Sequence, residues 1–190
     1  MSTRVMIAVG IVAVSSATRE VLEQHPVTHM LVQLPLLAMA GALLIPPGTF
    51  ANANWNRGGW TALLVAIFAT AFWMLPRSID AALTNPTIEI SKFVSIPLLI
   101  GVPLSIGWGN AHPVLKGFIK AQSITMLMIL AFLYTHAPIR ICNSYLVNDQ
   151  QSLGYGFLVV SIALVLLWSF PLFFPTALSR DKALLVVRAS

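Results

Sequence analysis

Tyr155-Gly156-Phe157-Leu158-Val159-Val160-Ser161-Ile162-Ala163-Leu164-Val165-Leu166-Leu167-Trp168-Ser169-Phe170-Pro171-Leu172-Phe173-Phe174-Pro175 carries no charged side chain over a length that matches the hydrocarbon core of a bilayer. Such a run reads as a membrane-crossing helix, because in lipid a helix satisfies every backbone polar group within itself. Working outward, charge, proline and glycine bound five more apolar stretches, at roughly 4–18, 27–45, 59–75, 93–109 and 113–135. The expected fold is all-α: one integral membrane domain over residues 1–190, a polytopic bundle of about six spans with both termini cytoplasmic. Composition agrees. With 57% hydrophobic and 9% charged residues and a mean hydropathy of +0.84, too few polar side chains remain to coat a water-facing globule.

The first stretch needs a decision. Arg4, the apolar run Val5–Val14 and then Ser15-Ser16-Ala17 have the layout of a signal peptide. A retained first helix that starts inside makes the later alternation consistent, and that reading is adopted. The inner side then carries Arg4, Arg57, Lys116, Lys120, Arg180, Lys182 and Arg188 against Asp181, a balance of +6. The outer side carries Arg19, Arg77, Lys92 and Arg140 against Glu20, Glu23, Asp80, Glu89 and Asp149, a balance of −1. This is the split expected of a bacterial inner-membrane protein, and it accounts for a pI near 9.9 without nucleic acid. Trp55, Trp60, Trp108 and Trp168 fall near the inner ends, whereas Trp73, Tyr134, Tyr145 and Tyr155 fall near the outer ends, where interfacial aromatics belong.

Chemistry-bearing residues concentrate outside. In Gln24-His25-Pro26-Val27-Thr28-His29-Met30-Leu31-Val32-Gln33, Pro26 suits a first helical turn, His25 falls at the cap, and His29 and Gln33 share a face. Imidazoles and the Met30 thioether are reasonable copper ligands, so His25, His29, Met30 and, from the next outer element, His136 form a candidate metal set. Hydrogen-bonded interfacial histidines are the competing interpretation. Asp80 and Glu89 have Arg77 and Lys92 as neighbours, with Lys92 placed to pair with Glu89 at i−3. Asp149, Gln150 and Gln151 form a polar outer motif in which Asp149 suits a helix cap. His112 reads as an inner turn residue, the single Cys142 rules out an intrachain disulfide, and Pro35, Pro97, Pro103 and Pro171 imply helix kinks. No nucleophile–base motif or phosphate-binding loop points to an enzyme.

Three of these stretches resemble the CtaG-type membrane proteins associated with cytochrome c oxidase assembly: His29–Leu37, Trp73–Pro86 with the proline-containing helix after it, and Asn148–Gly154. The resemblance covers roughly residues 25–170. It implies a non-catalytic role in oxidase biogenesis, copper handled by ligand exchange at the periplasmic face, and partners among other integral membrane subunits as well as lipid. The family pattern has histidine where Gln33 stands and further histidines where Ile88, Glu89 or Lys92 stand. Two alternatives stay open. One is a structural subunit of a larger respiratory or oxygenase-type complex without metal; the other is a b-haem held by His29 and a histidine of another helix.

Overall fold

Proline opens four of the helices, because its fixed φ suits the first turn and its missing N–H is not needed there. In the computed structural model, which describes residues 3–46, 49–50, 53–137 and 144–173, Pro26, Pro76, Pro86 and Pro113 all take this position. Helix α1 spans Thr3–Ala17 and leads through a single turn at Arg19–Leu22 to α2, Pro26–Leu44. Then come α3 (Trp60–Trp73), α4 (Pro76–Thr84), α5 (Pro86–Asn110), α6 (Pro113–His136) and α7 (Val147–Phe173). No strand occurs among the described residues.

Among the described residues four helices, α2, α5, α6 and α7, are long and apolar enough to cross a membrane. A fifth crossing requires counting Asn54–Trp73 and α4 together, and these are bent by 69° at Met74-Leu75. The all-helical membrane fold is thus met with four to five candidate crossings among the described residues. Helix α1 has 15 residues, which at 1.5 Å per residue reaches about 22 Å against a hydrocarbon core of about 30 Å. Two expected outer loops also shrink: residues 86–92 join α5, and 147–154 join α7. Cys142, Arg140 and the tail with Arg180, Asp181, Lys182 and Arg188 lie outside the described residues.

Two of the expected kinks are absorbed by wide π-helical turns, His29–Gln33 just before Pro35 and Pro97–Gly101 just before Pro103. A π turn accommodates an extra residue where proline interrupts the regular bonding, and it reorients the side chains it carries. The two turned helices touch backbone to backbone. A β-carbon on Gly101 would lie 2.1 Å from the Ala38 carbonyl oxygen, and one on Gly41 would lie 2.0 Å from that of Pro97. This is the small-residue contact by which helices pack in lipid. Gly59, at φ +76, turns the chain into α3 in a left-handed conformation that costs glycine nothing.

The packed core is lopsided. Met30, Leu34, Leu37, Trp73, Ile79, Ile96, Tyr134, Leu153 and Phe157 form one cluster toward the end of the bundle where α1 finishes and α2 starts. At the opposite end Leu63, Ala111 and Leu115 form a smaller cluster among the described residues. The acids Glu20, Glu23, Asp80, Glu89 and Asp149 all fall on the well-packed end by this helix order, so the two ends are called acidic and basic below.

Candidate functional site

The acidic end is closed by a buried polar network. Glu23 sits in the connection between α1 and α2, held there by its backbone N–H to the Arg19 carbonyl and by the Thr28 hydroxyl, which donates to the Leu22 carbonyl at 2.6 Å. Lys92, in α5, is fully buried and its ammonium donates to Glu23 Oε1 at 2.5 Å. The same ammonium lies 3.4 Å from His29 Nε2. Tyr145 donates its hydroxyl proton to the Glu23 carbonyl at 3.0 Å and has His29 Nδ1 at 3.0 Å. A phenol has one proton, so with that proton spent on Glu23 its oxygen accepts from Nδ1–H. His29 is thereby the neutral Nδ1–H tautomer, with its Nε2 lone pair turned to Lys92.

Gln33 completes the group. It is buried on the same face as His29, one π turn on, and its Nε2 donates to Glu23 Oε1 at 3.1 Å and to the Ser15 carbonyl at 3.4 Å. Its Oε1 has no partner among the described residues. A second ion pair, Arg19 to Glu89 at 2.8 Å, joins the same two segments at the surface. The network therefore ties α1, the Arg19–Leu22 turn, α2, α5 and the segment before α7 to one carboxylate and one ammonium.

The residues expected as metal ligands have separate fates. His29 is buried in the network and Met30 in the hydrophobic core. His25 is exposed, capping α2 by its extended backbone (φ −120°, ψ 135°) without a side-chain bond. His136 is also exposed, with its ring stacked on Phe132 at 4.5 Å and its Nδ1 2.8 Å from the Thr135 hydroxyl. Among the described residues no three His, Cys, Asp or Glu side chains converge on a point where a metal would sit. Donor chemistry adds to this: one nitrogen of His29 is committed to Tyr145 and the other faces an ammonium. His25, His29 and His136 therefore form no such group among the described residues.

Other expectations change in detail. Glu89 pairs with Arg19, not with Lys92, and Asp80 accepts from the Ser144 N–H at 3.2 Å. Asp149 lies inside the first turn of α7 rather than capping it, a place where its charge still complements the helix dipole. Gln150 is buried on the face that carries Leu153 and Phe157, while Gln151 is exposed. His112 caps α6, its Nδ1 accepting from the Val114 N–H at 3.3 Å. Sequence reading missed Glu23 and Tyr145 as site members and gave Lys92 the wrong partner. The available signal was a lysine directly preceding an apolar run, a costly position unless the charge is paired.

Comparison with protein-family models, curated proteins and solved structures finds no match to this chain.

Proposed function

We propose that this chain is a non-catalytic, membrane-integral accessory component of a respiratory-oxidase-type complex, acting through contacts with partner subunits and not through a metal of its own. One observation carries the reading: the Lys92 ammonium stands 3.4 Å from His29 Nε2 and is neutralised by Glu23. A tethered cation thus takes the place beside the imidazole that a copper ion would need. Copper arriving there would have to displace an ammonium already paired with Glu23. The oxidase side of the proposal rests on the resemblance of His29–Leu37, Trp73–Pro86 and Asn148–Gly154 to oxidase-assembly proteins. Four apolar helices of membrane length support a location in the membrane, which for a chain of this charge pattern is the bacterial inner membrane.

Mild solubilisation followed by affinity purification tests the proposal. The expected result is a stoichiometric membrane complex whose haem and copper content is unchanged by the joint substitution His25→Ala and His136→Ala. The isolated chain, incubated with Cu(I) under reducing conditions, is expected to retain no stoichiometric copper. One copper per chain, weakened by His29→Ala, would overturn the reading in favour of copper transfer.

A further inference from the structure

At the basic end the ends of α1, α2, α5, α6 and α7 leave a cavity of about 610 Å³, lined by Arg4, Leu43, Leu104, Trp108, Lys120 and Trp168 among others. Its size falls in the range of about 300–1,000 Å³ typical of small-molecule sites. The walls are apolar except at one rim. Ser105 and Ser123 line it too, but their hydroxyls are spent on the carbonyls of Ile45 at 3.0 Å and Ile119 at 2.8 Å. Polar recognition there falls to Arg4 and Lys120.

Neither cation has a counter-ion among the described residues. Arg4 is exposed, and Lys120 is half-buried with its ammonium 5.3 Å from the Trp168 ring centroid. Arg57 and Lys116 belong to the same end, whereas every described carboxylate belongs to the other. Asp181 lies outside the described residues, in a tail whose residues 174–190 carry three bases to this one acid, the wrong sign for a site made of cations.

We infer that this groove is a binding site for an anionic phospholipid. One acyl chain fills the apolar cleft between the helices, and the headgroup phosphate is held between Arg4 and Lys120 at the level of Trp108 and Trp168. An apolar cleft on the flank of a membrane bundle does not stay empty, since an unfilled void forfeits contacts on one side. Basic residues at the rim of such a cleft select the charge of the lipid that fills it. The inference does not depend on the role of the network at the acidic end.

Quenching of tryptophan fluorescence by brominated lipid tests it. The full chain is reconstituted in phosphatidylcholine vesicles containing either brominated phosphatidylglycerol or brominated phosphatidylcholine at equal mole fraction. The anionic quencher is expected to compete more effectively, by roughly fivefold for each of the two cations. The double substitution Arg4→Gln and Lys120→Gln should remove that preference while leaving quenching by the zwitterionic lipid unchanged, and Arg4→Lys with Lys120→Arg should keep it. Equal quenching of the wild type by the two lipids would overturn the inference, and so would a preference that survives in the glutamine variant. The wild-type comparison stands by itself if a variant fails to fold.

Discussion

The two ends of this bundle handle charge in opposite ways. At the acidic end Lys92 is taken wholly out of water and matched to Glu23, with His29, Tyr145 and Gln33 arranged around the pair. At the basic end Arg4 and Lys120 edge an open cleft with no described carboxylate near them. Burying ions costs several kcal/mol each and is offset only by close pairing and further hydrogen bonds, so the first arrangement restricts how the helices can dock. The second costs little and leaves the cations available. A closed end that fixes the fold and an open end that meets the surroundings is the lesson of the contrast.

Breaking the closed end is expected to have the largest effect. Lys92→Met leaves the partly buried Glu23 carboxylate without its cation, and should destabilise the protein by up to about 3 kcal/mol. Thermal unfolding in detergent, followed by circular dichroism, measures it. Adding Glu23→Gln to that variant should recover most of the loss, because removing both charges is far cheaper than removing one. Failure of the second change to rescue the first would mean that Glu23 and Lys92 do not act as a pair.

Gly101→Ala comes next, since the added carbon meets the Ala38 carbonyl oxygen at 2.1 Å and must push α2 and α5 apart. Overpacking of this kind costs about 1–3 kcal/mol. The same unfolding assay should show it, with a lowered midpoint as the expected outcome. Tyr145→Phe removes the hydroxyl between His29 and Glu23 and strands a buried donor and acceptor, at a cost of about 1–3 kcal/mol. The ring nitrogen shifts of His29, read by NMR, should change with it, whereas those of the exposed His136 should not. Arg19→Gln breaks only a surface pair whose arginine side chain is 49% exposed, and is expected to cost less than about 1 kcal/mol. Lys120→Gln, at the open end, should leave the unfolding midpoint where it is. A large loss there would erase the distinction between the ends.

Much of the fold was legible because its punctuation is local. Pro26 and Pro113 mark helix starts and the apolar runs behind them mark long helices, whereas Pro76 and Pro86 fall in a stretch expected as an outer loop that is instead α4 and the first turns of α5. The bend between α3 and α4 was not legible, since Met74-Leu75-Pro76 looks the same whether the chain exits to a loop or folds back at 69°. Helix α1 was read as a span from its hydropathy, and the structure gives it 15 residues, fewer than any of the four long helices. At the site, the shared face of His29 and Gln33 followed from their spacing and is met by both being buried. The partner of Lys92 did not follow. A spacing rule offers Glu89 three residues away, while the structure uses Glu23, which is 69 residues away and comes within reach only after α2 and α5 dock. Tyr145 carried no local signal at all, since nothing near it in sequence asks for a hydrogen bond to residue 29.

That same separation gives the ion pair a place in time. Glu23 leaves the ribosome 69 residues ahead of Lys92, which at about 5–20 residues per second is an interval of about 3–14 s. Throughout it, α2 carries His29, Gln33 and an unmatched carboxylate at its start, with the segment meant to cover them still unmade. The nascent chain therefore passes through a stage in which its most polar face is also its least protected, and arrival of the third proline-led helix, α5, ends that exposure.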